Sequence, residues 1–77
     1  DTAEEAFEAA ELGRLIDRFV RGLSASECNL FLRRYWYLDS IDMLAARYGL
    51  RPGAVKTRLH RTREKLRTFL RKEGYAL

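Results

Sequence analysis

Apolar residues recur every three or four positions through most of this 77-residue chain, and this spacing constrains the fold more than any other feature. Because an α-helix turns once in 3.6 residues, the spacing gathers these side chains on one helical face. The clearest run comprises Leu12, Leu15, Ile16, Phe19, Val20 and Leu23. No segment alternates apolar and polar residues with the two-residue period of a strand. The chain is therefore predicted to form an all-α domain.

Capping residues divide the chain into four predicted helices, over 3–22, 25–36, 41–48 and 52–72. Ser24 and Ser40 can accept hydrogen bonds from the first turn of the second and third helices. Glu27 completes a capping box with Ser24. Gly49 suits the left-handed end of the third helix, and Pro52 suits the first position of the fourth. We expect no wing strand after the fourth helix, so a winged-helix fold is not predicted.

The length and the cysteine count limit what else this chain can be. Seventy-seven residues make one domain, 1–77, with a modest core. Cys28 is the only cysteine, so it cannot form an internal disulfide and is interpreted as a half-buried structural thiol. A single histidine and a single cysteine cannot form the usual four-ligand zinc site. Because the sequence starts at Asp1 rather than at a methionine, we expect it to be part of a longer protein.

The same sequence argues against an enzyme and against a membrane protein. It has no pair of carboxylates, no serine–histidine pair and no phosphate-binding loop at the spacing that catalysis needs, so no cofactor is expected. No apolar run approaches the roughly 18 residues of a membrane span. A free thiol without an export signal is typical of the cytoplasm.

The charge changes sign along the chain. Residues 1–11, interpreted as an acidic N-terminal extension, contain five carboxylates and no basic side chain. Residues 51–77 contain nine basic and two acidic side chains. Twelve of the fifteen basic residues are arginine, whose planar fork suits phosphate and guanine. This basic third of the chain predicts binding to a polyanion, although a solvated charged helix would have a similar composition.

Residues 41–71 are predicted to form a helix-turn-helix. Only residues 49–51 separate the third and fourth helices, and Ala45 is small enough for the two helices to cross closely. On a helical wheel the core side of the fourth helix contains Val55, Leu59 and Leu66, which are predicted core residues. The opposite side contains Gly53, Thr57, His60, Arg61 and Glu64, with Lys56 and Arg58 on the flanks. Short polar side chains flanked by basic side chains are typical of a recognition helix, which reads DNA in the major groove.

Two segments resemble a known family. Residues 32–45, LRRYWYLDSIDMLA, resemble the "L-R-Y … S-x-x-E-I-A" segment of bacterial sigma factors of the sigma-70 family. Residues 53–66, GAVKTRLHRTREKL, resemble the "G-T-V-K-S-R-L-x-R-A-R-x-x-L" of the same family. In that family the two motifs lie in domain 4 of the sigma factor, and this chain is most similar to the extracytoplasmic-function group. The resemblance covers about residues 12–72, and Met43 replaces the glutamate of the first motif.

The resemblance implies a non-enzymatic function in bacterial transcription initiation. The domain would bind the −35 element of double-stranded promoter DNA and dock on the β-subunit flap of RNA polymerase, and an anti-sigma factor is a further partner of such domains. Four residues match the family's base-reading positions: Lys56, Thr57, His60 and Arg61. Four arginines are then expected to contact phosphates: Arg34, Arg51, Arg58 and Arg63.

Two other functions are also compatible with this sequence. A helix-turn-helix regulator of another class, such as the output domain of a response regulator, would have the same basic helix. Such domains usually dimerise through the fourth helix, whereas Phe69 and Leu70 continue the core stripe here. The second alternative is a protein-interaction module whose arginines are only solvated. Trp36 is interpreted as a core or rim residue, or as a contact to the flap.

Overall fold

The computed structural model describes residues 2–75 and contains four α-helices in that range. They are α1 (Thr2–Arg21), α2 (Ala25–Tyr35), α3 (Ile41–Tyr48) and α4 (Pro52–Lys72). No strand occurs between residues 2 and 75, so the all-α prediction is confirmed. Helices α3 and α4 have the predicted bounds. Helix α1 begins and ends one residue earlier than predicted, and α2 ends one residue earlier.

The predicted caps are present at the starts of α2 and α3. The Glu27 backbone N–H donates to the Ser24 hydroxyl oxygen at 3.3 Å, and the Ser24 N–H donates to the Glu27 carboxylate at 3.4 Å. Ser40 accepts from the Met43 N–H at 3.0 Å. Met43 has no polar atom that could return the bond, so α3 keeps only half of a capping box.

The link from α3 to α4 is short because Gly49 reverses the chain. Gly49 has φ of 65°, in the left-handed region where a side chain is strained. The next residue, Leu50, donates its N–H to the Ala45 carbonyl at 2.9 Å. Pro52 then begins α4, and Arg51 occupies its N-cap without a side-chain hydrogen bond. Helix α3 therefore ends at Gly49, and a separate helix starts three residues later.

The core lies where α2, α3 and α4 meet. Its five buried residues, packed against Ile41 and Leu50, are Leu30, Leu44, Ala45, Val55 and Leu59. The predictions that Val55 and Leu59 are core residues are confirmed, because they are among the most buried side chains of the described residues. The small Ala45 side chain is also buried here, as a close approach of two helices requires.

Aromatic rings connect α1 to the rest of the domain. The Phe19 ring packs against Phe31 of α2 and Phe69 of α4, with centroid distances of 6.2 and 5.5 Å. Leu15 and Leu70 are buried in the same region. Leu66 is half-buried rather than buried, so its prediction as a core residue is wrong. It lies at the edge of an open groove between α1 and α2, where no side chain covers it completely.

The first half of α1 projects away from this core. Residues 2–10 are all exposed, including Phe7, although they are helical. The Cα radius of gyration is 14.2 Å, larger than the roughly 11.5 Å expected for a compact domain of this length. The acidic extension is thus a helical arm. Between residues 2 and 75 no helix combines the length and the apolar character needed to cross a membrane.

Candidate nucleic-acid interface

Helix α4 has one buried face and one exposed face, as the helical wheel predicts. Val55, Leu59, Thr62 and Leu70 are buried, and Leu66 and Phe69 are half-buried. The one polar member, Thr62, is 2% exposed and donates its hydroxyl to the Arg58 carbonyl at 3.1 Å. A buried hydroxyl with a partner costs little, so threonine is tolerated within the apolar stripe.

The four predicted base-reading residues lie on the exposed side of α4. Lys56, Thr57, His60 and Arg61 are all exposed. The Thr57 hydroxyl donates to the Gly53 carbonyl at 3.0 Å, which leaves its oxygen available as an acceptor. Lys56, His60 and Arg61 make no hydrogen bond or ion pair within residues 2–75. These side chains are therefore available to bind a ligand outside the domain.

This exposed side is cationic at its N-terminal end. From residue 52 to residue 63 the sequence contains no carboxylate, and Glu64 is the first. The Glu64 carboxylate lies 3.9 Å from the guanidinium of Arg67, one turn further on. Glu64 lies about 18 Å along the axis from the start of the helix, farther than the Debye length of about 8–10 Å, so it offsets little of the positive potential there.

Helix α2 braces α4 on both flanks. Near the start of α2, Glu27 forms an ion pair with Lys65. At the end of α2, the Tyr35 hydroxyl oxygen accepts a hydrogen bond from Arg63 Nη1 at 2.6 Å. Arg63 and Lys65 are two positions apart and so point to opposite sides of α4. Helix α2 therefore crosses the buried face of α4 and contacts a basic residue on each side.

The ion pair with Lys65 also changes the ionisation of Glu27. The hydrogen bond from Lys65 lowers the pKa of the Glu27 carboxyl from its ordinary 4.5, although partial burial opposes the shift. Further hydrogen bonds from Ser24 act in the same direction as Lys65. Glu27 thus caps α2 and fixes α2 to α4 with the same carboxylate.

The structure places Arg34 differently from the other predicted phosphate contacts. Arg51, Arg58 and Arg63 are exposed, whereas Arg34 is half-buried and its Nη1 donates to the Asp39 carbonyl at 3.0 Å. The site residues Arg34 and Arg63 thus already have partners within the domain. Phosphate binding by the four arginines stays a prediction. To bind a phosphate, the Arg34 guanidinium would have to keep its hydrogen bond to the Asp39 carbonyl and use its remaining N–H donors.

Asp39 organises the connection between α2 and α3. It is buried, and its carboxylate accepts a hydrogen bond from Arg33 Nε at 2.6 Å. This bond raises the pKa of the Arg33 guanidinium above its ordinary value. The Arg33 guanidinium also lies over the Tyr37 ring, 4.9 Å from its centroid. The Arg33–Asp39 pair was not predicted from the sequence. Asp39 follows three apolar residues, and no periodic pattern of apolar residues indicates that it would be buried.

The same connection exposes a set of apolar side chains. Trp36 is 78% exposed, so it is a rim residue and not a core residue. It borders a groove of about 480 Å³ between α1 and α2, where Ile16, Val20 and Leu32 supply apolar walls. An exposed aromatic side chain beside an apolar groove is typical of protein-binding surfaces. The groove and the cationic side of α4 are two separate surfaces.

Neither a metal site nor a similar known protein indicates what these two surfaces bind. Between residues 2 and 75 no three metal-ligating side chains lie close enough together to hold an ion. The chain matches no protein-family model and no curated protein. The exposed side of α4 and the groove beside Trp36 are therefore the features that indicate a function.

Proposed function

We propose that this chain is domain 4 of a bacterial sigma factor, which recognises the −35 promoter element and directs RNA polymerase to it. The observation that carries the proposal is the exposed side of α4. It combines a stretch without carboxylates, short polar side chains and basic side chains on both flanks, and it begins directly after the Gly49 turn. In this proposal α3 and α4 are the two helices of a helix-turn-helix, and no catalytic residue or cofactor is involved.

The length of α4 limits which residues can read DNA. Its 21 residues extend about 31 Å at 1.5 Å per residue, longer than the major groove is wide. Only its N-terminal half can therefore contact base edges. Arg61 can donate two hydrogen bonds to a guanine, and Arg58 on the flank can contact a phosphate. Lys56, Thr57 and His60 complete the base-reading set of this proposal.

The groove beside Trp36 supports the polymerase part of the proposal. It gives the domain an apolar docking surface for the β-subunit flap that is separate from the exposed side of α4, so both partners could bind together. An anti-sigma factor would compete for either surface. Such a domain acts in the bacterial cytoplasm, where promoter DNA and polymerase are found.

The packing of α4 argues against the response-regulator alternative. A domain that dimerises through its last helix needs apolar side chains free on that helix. Here Leu70 is buried, and the Phe69 ring packs against Phe19 and beneath the guanidinium of Arg18. These side chains are already used to hold α1 against α4.

Two arginine variants test DNA reading. The wild-type chain, bound to core polymerase, first selects its preferred −35 sequence from a randomised duplex pool. We expect Arg61→Ala to weaken binding by about 1–3 kcal/mol and to relax selection at one base pair. Arg58→Ala should weaken binding to every sequence and reduce the salt slope by about 1. Equal, sequence-independent losses would contradict base reading by Arg61.

A second experiment separates a sigma factor from other regulators. A purified β-flap fragment should bind the wild-type chain, and Trp36→Ala should weaken that binding. Leu38→Ala is the matched control, because Leu38 is equally exposed (79%) but does not line the groove. Absence of flap binding by the wild-type chain would contradict the sigma-factor proposal, while salt-dependent DNA binding would still support a helix-turn-helix regulator.

A further inference from the structure

The hydroxyl of Tyr35 has an unused donor next to a basic residue of α4. A guanidinium can only donate, so in the 2.6 Å bond between Arg63 Nη1 and the Tyr35 hydroxyl the oxygen is the acceptor. The hydroxyl proton is then free, and no acceptor for it lies among the described residues 2–75. Arg63 also keeps its other N–H donors. Two adjacent side chains from different helices thus offer donors without an acceptor.

The Tyr35 hydroxyl is held in place by the packing of its ring. The ring lies against Phe31, with 5.0 Å between the centroids, and Phe31 is buried. Tyr35 itself is 43% exposed, so the ring is supported on one side and open on the other. A donor fixed in this way loses little conformational entropy when it binds a ligand.

The position of Arg63 on α4 indicates the chemistry of the ligand. Lys56 precedes Arg63 by seven residues, nearly two turns, and lies on the same flank about 10 Å away along the axis. Arg67 follows one turn later. No carboxylate lies between Lys56 and Arg63 in the sequence. An anionic chain that follows this flank would meet Lys56 first and then the Tyr35–Arg63 pair.

We propose that Tyr35 and Arg63 together clamp one phosphodiester group of double-stranded DNA at the edge of the groove that α4 occupies. This inference rests on the proposed function for its choice of DNA as the polyanion. Arg63 supplies charge and N–H donors, and Tyr35 donates its O–H to a phosphate oxygen. Tyrosine hydroxyls and arginine side chains are both common phosphate contacts, which set the register of a protein on DNA without reading its sequence.

The two residues differ in charge, and this difference makes the clamp testable. The full 77-residue chain is titrated against a fluorescent duplex of mixed sequence at several salt concentrations. Arg63→Met should lower the affinity and reduce the slope of log K against log salt by about 0.9, because one phosphate neutralisation is lost. Tyr35→Phe should lower the affinity about tenfold at low salt and leave the slope unchanged, because no charge is lost.

The double variant distinguishes direct contact from positioning. When Tyr35→Phe is added to Arg63→Met, the clamp predicts a further loss of affinity, because the hydroxyl itself contacts phosphate. If Tyr35 only orients Arg63, the addition has no effect, and the clamp is overturned. Tyr37→Phe is the matched control, since Tyr37 is also exposed and its hydroxyl makes no hydrogen bond to any described residue.

The outcomes also separate this inference from the proposed function. Wild-type binding with an Arg63→Met effect but no Tyr35→Phe effect overturns the clamp and leaves DNA binding intact. Failure of the wild-type chain to bind any duplex in a salt-dependent way overturns both. Thermal unfolding of each variant checks the fold, and Tyr35→Phe should retain the wild-type midpoint within a few degrees because its ring still packs on Phe31.

Discussion

Leu59→Ala is the sharpest test of how this small domain is held together. Leu59 is 1% exposed and lies in the core cluster that joins α2, α3 and α4. Its neighbours in the cluster include Leu30, Leu44 and Val55, which come from all three helices. Truncation therefore weakens the packing of α4 against both α2 and α3.

The expected cost follows from the atoms removed. Three carbon atoms leave a fully buried site, and at about 0.8 kcal/mol each their transfer to water accounts for about 2.4 kcal/mol. The cavity left behind adds to this, so we expect a total of about 3–4 kcal/mol, within the roughly 2–5 kcal/mol typical of such changes. A domain of 77 residues has a stability of about 4–12 kcal/mol, so the variant should lose a large part of it.

Urea unfolding followed by circular dichroism measures this loss. The midpoint should fall while the slope m stays unchanged, since the same surface is exposed on unfolding. Leu66→Ala is the matched control: it removes the same atoms from the same helix at a half-buried position, and it should cost only about 1 kcal/mol. Equal losses for the two variants would refute the packing argument, and so would a negligible loss for Leu59→Ala.

Three further predictions concern charge and backbone conformation. Lys65 lowers the pKa of Glu27, so their ion pair stabilises the fold above pH 4.5, and this stabilisation is lost as the pH falls through the pKa of Glu27 in the folded state. The difference in unfolding free energy between the wild type and Glu27→Gln should therefore shrink when urea unfolding is repeated at decreasing pH. Leu38→Gly should raise the unfolding free energy by up to about 1 kcal/mol, because φ of 62° is strained for leucine but not for glycine, and the exposed Leu38 side chain loses little packing. A loss of stability would contradict this. Gly49→Ala should cost about 1–2 kcal/mol in thermal unfolding, because no atom obstructs an added Cβ and only the left-handed φ opposes it.

The candidate site could be predicted from sequence only in part. The exposed side of α4, with Lys56, Thr57, His60 and Arg61, follows from a helical wheel because one helix determines which residues share a face. The hydrogen-bond partners of Arg34 and Arg63 cannot be predicted from a helical wheel. Tyr35 is 28 positions from Arg63, and no local spacing indicates that α2 crosses α4 at that point.

The sequence by itself determined the four helices and, to within one residue, their bounds. Ser24, Ser40, Gly49 and Pro52 act on backbone groups within one turn, so their effect does not depend on the rest of the fold. The apolar spacing likewise determined that Leu59 would face inward.

The tertiary structure alone decided how completely each inward-facing side chain is covered and which polar groups meet. Leu59 and Leu66 have the same place in the stripe, yet α2 and α3 enclose Leu59 whereas Leu66 borders the open groove between α1 and α2. Burial of Asp39 depends on Arg33 lying beside it after the chain has turned, which is possible because Leu38 adopts a left-handed conformation. Contacts of this kind depend on the relative positions of whole helices, and residue spacing along one helix does not specify them.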